Sequence, residues 1–213
     1  MSILLYCVCA DAGVRNFTQG VAGFPVLSCA QGDLALLFSK GASPEDWTGA
    51  PLRESARQFH DVLRRTFESG AIIPFRFPTL LESEAELVAH MRDNTSSYTA
   101  LLKKFRTYAQ MEAVIGYSDD SRTVQRDLSG AEYLRARQKH SAGLEEVAAH
   151  LQERAGALVQ EWRSRPIQNR IRIFALLDRG SVTNFNQKLG EMQVPDGMAV
   201  RVTGPWPVTE FLE

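Results

Sequence analysis

No apolar run in this chain approaches the roughly 20 residues needed to span a bilayer, which excludes a helical membrane protein. Cysteine is scarce as well. Three thiols are an odd, sparse count and make no disulfide framework. Cys7 and Cys9 would share one face of a strand; a metal or redox pair stays open there beside the alternative of two reduced, partly buried thiols. Nor does charge of one sign dominate: 24 Lys and Arg face 25 Asp and Glu, a net charge of −1. Broad nucleic-acid binding needs a basic surface that releases counterions, so nucleic acid is not the expected partner.

The motifs of catalysis are missing too. The chain has no glycine-x4-glycine-lysine phosphate loop and no glycine-x-serine-x-glycine elbow. Its histidines, His60, His90, His140 and His150, are scattered. His140 and His150 share a helix, but ten residues turn it by roughly 1000°, leaving them about 80° apart and three turns distant. His60-Asp61 resembles half of an acid/base pair, yet lies on a charged helix face that reads as solvated. We therefore expect no enzyme, no cofactor and no bound metal.

What is present is a soluble globular composition, 44% apolar and 23% charged over 213 residues. That length suits one large domain or two small ones. The opening Met1–Ala10 is apolar but lacks the basic residues of a secretory signal, so it reads as a first strand of a cytoplasmic protein.

Residues 32–39 read as a strand whose unbroken apolar stretch, Leu34–Phe38, suggests burial on both faces. Ser43-Pro44 looks like a helix start. Leu52, Ala56, Phe59, Leu63 and Phe67 then make one helical stripe, with Gly70 as its stop. Residues 71–78 are extended, since Pro74 and Pro78 exclude a helix interior. Ser83 and Glu86 match a capping box for a helix with Leu87, Met91, Tyr98, Leu102 and Phe105 on its inner side.

From Tyr108 to Tyr117 the period changes to two, with Ala109, Met111, Ala113 and Ile115 facing one way. Ser129 and Glu132 form a second capping box, with Leu128 and Tyr133 as its hydrophobic staple. The helix they open carries Leu144, Val147, Leu151, Ala155, Leu158 and Trp162, and is expected to run until Pro166. A strand over 170–177, a short helix capped by Ser181 and a strand through Val200 and Val202 complete the chain. The fold class is α+β in two domains. Residues 1–106 form a mixed α/β domain; residues 107–213 form a sandwich with a long helix, helices on one face of a sheet, and a short tail.

Arg76, inside Ile72-Ile73-Pro74-Phe75-Arg76-Phe77, must reach water or a carboxylate, because burying it unpaired costs several kcal/mol. Two readings stay open: an arginine tying two elements through a carboxylate, and an exposed arginine beside aromatic rings at a binding hot spot. Glu132 and Tyr133 either cap and staple their helix or meet the first domain there. Trp206, stiffened by Pro205 and Pro207, either packs on its own core or, with Phe211, anchors the tail on the other domain or a partner.

Three segments, in this order, resemble the GvpF/GvpL family of gas-vesicle proteins. Phe59–Leu63 leads into Ile73-Pro74-Phe75-Arg76-Phe77-Pro78-Thr79-Leu80, where the family carries leucine-proline-leucine-arginine-phenylalanine-glycine-threonine. Ser129–Leu134 is similar to the family's glycine-x-glutamate-tyrosine-leucine helix start. Val202-Thr203-Gly204-Pro205-Trp206-Pro207 is close to its glycine-proline-tryptophan-proline finish. Pro78 replaces the usual glycine, and Val208-Thr209-Glu210-Phe211 departs from the usual ending.

The resemblance implies a ferredoxin-like second domain and a gas-vesicle assembly or accessory protein in the cytoplasm, in association with vesicles. It would bind the small hydrophobic shell protein and other accessory proteins, and neither nucleic acid nor membrane. Pro74, Arg76, Phe77, Glu132, Tyr133, Trp206 and Phe211 are the candidates for partner binding or a domain interface. The alternative is a small-molecule-binding regulatory module on a ferredoxin-like scaffold.

Overall fold

The computed structural model of the chain describes residues 2–10, 19–41, 50–118, 130–167 and 169–212. The chain divides into two units, one of residues up to Thr107 together with Pro207–Leu212, the other of Tyr108–Trp206.

In the first unit, β1 (Ile3–Ala10) buries every side chain from Ile3 to Cys9. It lies between β3 (Leu34–Lys40) and β4 (Ile72–Leu81), with β2 (Leu27–Gln31) outside β3, in an antiparallel sheet of order β2-β3-β1-β4. Such runs need cover on both faces, and two helices supply it. Phe59 of α1 (Ala50–Ser69) stacks on Tyr6 with ring centroids 5.2 Å apart. Met91 and Tyr98 of α2 (Glu84–Lys104) pack on the opposite side with Leu5, Val8, Leu36, Phe38 and Ile73.

The α1 stripe is core-facing at Phe59, Leu63 and Phe67, while Leu52 in its first turn stays 40% exposed. The helix start expected at Ser43-Pro44 lies outside the described residues. Ser83 caps α2 as its sequence predicts: its Oγ accepts from the Glu86 N–H at 3.2 Å, and Glu86 reaches back to the Glu82 N–H at 2.9 Å.

Tyr6 is an extra residue in β1. Leu5 pairs with Phe38 and Cys7 with Leu37, so Tyr6 bulges out of the ladder. The slip puts Leu5 and Val8 on the α2 side. The Tyr6 hydroxyl accepts from the Val21 N–H at 2.9 Å and donates to Ser39 Oγ at 3.0 Å; Ser39 in turn donates to the Pro25 carbonyl at 2.8 Å. Burial pushes the Tyr6 phenol above its ordinary pKa, so the proton this relay needs stays in place.

In the second unit, β5 (Tyr108–Tyr117), α3 (Gly130–Ala155), β6 (Val159–Ile167), β7 (Arg170–Asp178), α4 (Val182–Gly190) and β8 (Met198–Trp206) form an antiparallel sheet of order β6-β7-β5-β8. This strand-helix-strand, strand-helix-strand order is the ferredoxin-like arrangement. Leu144, Val147 and Leu151 of α3 and Phe185 and Leu189 of α4 cover the same sheet face, against Met111, Ala113, Ile115, Ile173 and Ala175.

Here the sequence reading needs three corrections. The long helix ends at Ala155, not near Pro166; a 3-10 turn over Gly156–Leu158 leads into β6. Leu158 and Trp162 do pack on the core, but from a turn and a strand, which is why they extended the helical stripe. Pro166 is tolerated because β6 is an edge strand. Ser181 does not cap α4 with its side chain; Asp178 instead accepts from the Gly180 N–H at 2.8 Å, capping the 3-10 turn before the helix. Finally, residues 207–212, read as the tail of the second domain, group with the first. Val208 and Phe211 are buried, and Leu212 packs on the Ile3, Leu5 and Met91 cluster.

Two predictions follow from this packing. Tyr6→Phe strands the Val21 N–H in a buried site and is expected to cost about 1–3 kcal/mol in urea unfolding. Ser39→Ala cuts the same relay, so the double variant should lose less than the sum of the two; full additivity would mean the relay is not a unit. For the thiols, burial and neighbouring Cys9 push Cys7 well above its usual pKa, and Cys9 donates to the Ala35 carbonyl at 3.7 Å. In the native protein a thiol reagent should titrate half-buried Cys29 quickly, and Cys7 and Cys9 only at the rate of unfolding.

Candidate protein-interaction site

Pro74 pairs with Cys7, and the next β4 residue paired to β1 is Thr79, opposite Leu5. Residues Phe75–Pro78 therefore leave the ladder as a four-residue excursion. It answers the Tyr6 bulge, since Tyr6 is also unpaired between Leu5 and Cys7. β4 is the sheet edge, and prolines at 74 and 78 remove two donors from it, a common way of blunting an edge.

The two phenylalanines hold this excursion down on opposite sides. Phe77 meets Phe59 of α1 at 5.2 Å between ring centroids. Phe75 meets His90 of α2 at 5.7 Å, and His90 Nε2 is 2.7 Å from the Tyr98 hydroxyl. Arg76 stands between these two feet. Its carbonyl accepts from Thr79 Oγ1 at 2.7 Å, and its side chain is exposed, with no ion pair among the described residues. Of the two readings of Arg76, the exposed one describes this geometry. The flanking rings are half-buried against α1 and α2.

The other candidates lie elsewhere. Trp206, at the end of β8, is 37% exposed, and its indole N–H donates to Thr203 Oγ1 at 3.2 Å. Phe211 is 1% exposed within the first unit, so its ring is not free for a separate molecule. Glu132 and Tyr133 fall on α3, but their side chains and Ser129 lie outside what the structure describes. Among the described candidates, Pro74, Arg76 and Phe77 come together on β4.

Asp61 pairs with Arg57 at 3.0 Å and Arg64 at 3.3 Å, leaving His60 without an acid/base geometry to that carboxylate. His140 stacks on Tyr117 with centroids 3.4 Å apart, and burial lowers its pKa. Sequence reasoning missed the Phe75–His90–Tyr98 cluster, for which 15 and 8 residues of separation leave no local signal. Among the described residues no helix is long and apolar enough to cross a membrane.

A mixed α+β chain of two four-stranded antiparallel sheets and four described helices, the second sheet ferredoxin-like, with a cation raised from a blunted sheet edge, defines the class of molecule. The model of the family described as gas vesicle synthesis protein GvpL/GvpF matches residues 2–213, and the chain belongs to that family. Two crystal structures share the fold. The gas vesicle protein GvpF from Anabaena sp. PCC7120 is 14% identical, with a TM-score of 0.77 over 100% of this chain and 96% of that one. GvpF from Microcystis aeruginosa is also 14% identical, with a TM-score of 0.76 over 100% and 99%. No curated protein sequence matches the chain.

The excursion separates two roles that one substitution each can test. Arg76→Ala is expected to leave stability within about 0.5 kcal/mol of the parent. Phe77→Ala should cost about 2–4 kcal/mol by removing a ring from the Phe59 contact. Equal losses in denaturant unfolding would mean that Arg76 is a structural residue.

Proposed function

We propose that this chain serves gas-vesicle formation as a binding protein rather than an enzyme. It holds the small hydrophobic shell protein, and other accessory proteins with it, until shell subunits join a growing wall, and it works in the cytoplasm. The observation that carries this reading is the family match along the whole chain. The physical motive is that a subunit with a large apolar face aggregates unless that face is covered before polymerisation.

The Phe75–Pro78 excursion is the contact surface we assign to this role. Two packed rings hold Arg76 in place, so a partner meets a cation whose base is already ordered, which lowers the entropic cost of association. Trp206 offers a second exposed anchor. The small-molecule alternative needs room between helices and sheet in the second unit. Leu144, Leu151, Phe185 and their neighbours fill that space, so the alternative finds no support there.

Co-expression with the host's shell protein, followed by size-exclusion chromatography with light scattering, tests the proposal. A soluble complex of defined mass is expected, weakened about tenfold by Arg76→Ala as for a hot-spot residue. Shell protein that still aggregates while this chain elutes alone would overturn it.

A further inference from the structure

The sheet face of the second unit that α3 and α4 leave uncovered is rich in arginine. Arg165 of β6 stands opposite Arg172 of β7, Arg172 opposite Val114 of β5, and Val114 opposite Arg201 of β8. Directly opposed residues share a face, and the adjoining positions Ala113, Ile115 and Ile173 belong to the helix-covered core. These four therefore form one row across the outer face. The row on one side holds Ile167, Arg170, Gly116 and Ala199; the row on the other holds Arg163, Phe174, Glu112 and Thr203.

Among the described residues, five guanidiniums share this face with the carboxylates of Glu112 and, one pair further along, Glu161. Arg172 donates to Glu112 at 2.7 Å and lies 5.1 Å from the Phe174 ring; Arg163 donates to Glu161 at 2.9 Å. Among the described residues of this face arginines outnumber carboxylates, in a chain whose total is −1. Between Arg170 and Arg201 the surface dips into a depression of about 250 Å³ floored by Val114 and Gly116. The Arg170 stem packs over Gly116: a Cβ there would meet the Arg170 Cγ at 3.0 Å, so a side chain would shift the arginine by a few tenths of an ångström.

We propose that this face docks an acidic segment of a partner protein, with a carboxylate seated in the depression between Arg170 and Arg201. Guanidinium forks match carboxylates in pairs of parallel hydrogen bonds, which suits arginine to this task better than lysine. Exposed Ile167, at 42%, gives the same face an apolar margin that a peptide side chain can cover. A nucleic acid fits less well. Glu112 and Glu161 interrupt the run of cations that a long phosphate backbone would follow, whereas a short acidic segment needs only the Arg170–Arg201 depression. The proposal rests on the second unit alone, so it does not stand or fall with the shell-protein reading.

The test is fluorescence anisotropy of a labelled poly-glutamate peptide against the full chain in low salt, with poly-thymidylate as the competing probe. The parent should bind the peptide more tightly than the oligonucleotide, and added salt should weaken it. Arg170→Glu/Arg201→Glu is expected to lose at least about tenfold, with the circular dichroism melt reporting that it still folds. The reversal Arg53→Glu/Arg64→Glu on α1 should change little. If the sheet double variant does not fold, Arg201→Gln serves in its place, with a loss of about threefold expected. A parent that ignores the peptide, a sheet variant that binds like the parent, an equal loss from the α1 reversal, or tighter binding of poly-thymidylate would each overturn the proposal.

Discussion

Tyr6 is where the organisation of the first unit converges. As the one extra residue in β1 it shifts the strand's facing, so that both sides of the sheet receive apolar side chains from a single run. Its ring stacks on Phe59, which in turn receives Phe77, so the same residue supports α1 and, through it, the β4 excursion. Its hydroxyl completes a buried relay from Val21 through Ser39 to Pro25. A phenylalanine would fill the space and keep the stack but leave a buried N–H without its acceptor, and such losses are felt more than the net worth of one hydrogen bond. Exposed Arg76 thus depends on a buried tyrosine seventy residues earlier in the chain.

The second unit solves a different problem. Its helices cover only one face of the sheet; on the other, Phe174 and Leu176 are buried while alternation along β6, β7 and β8 collects arginines towards the Ile167, Arg170 and Ala199 row. Like charges directly opposite across a ladder are unfavourable. Arg172 relieves this by pairing with half-buried Glu112 and lying over Phe174. The two units therefore present cations in unlike ways: one arginine lifted from a sheet edge on aromatic feet, and a field of arginines on a sheet face around a shallow depression.

Much of this was legible in the residues alone. The α2 stripe, the α1 stripe from Phe59 to Phe67, the inward residues of β5 and the Ser83 cap are visible as short-range periodicities, and the structure places them as read, while Leu52 stays exposed and Gln110 of β5 is buried. The failures share a cause. Leu158 and Trp162 lie at helical spacing after Ala155 and really do face the core, so periodicity could not tell a helix from a turn followed by a strand. Losing β6 also hid Arg163 and Arg165, whose place beside Phe174 and Arg172 exists only once that strand is paired. Residues after Pro207 read as part of the second domain, with Phe211 as a candidate anchor on the other domain or a partner; Val208 and Phe211 are buried in the first unit.

The sequence by itself determined the kinds of element, which side of most of them turns inward, and the family to which the chain belongs, because each of these is written in residues a few positions apart. Only the tertiary structure decided the bulge at Tyr6, the four residues of β4 that leave the ladder, the fourth strand of the second sheet, and which of the open readings of Phe211 holds. Each depends on which side chains meet across tens to hundreds of residues, and such meetings are chosen by packing and register, not by local preference.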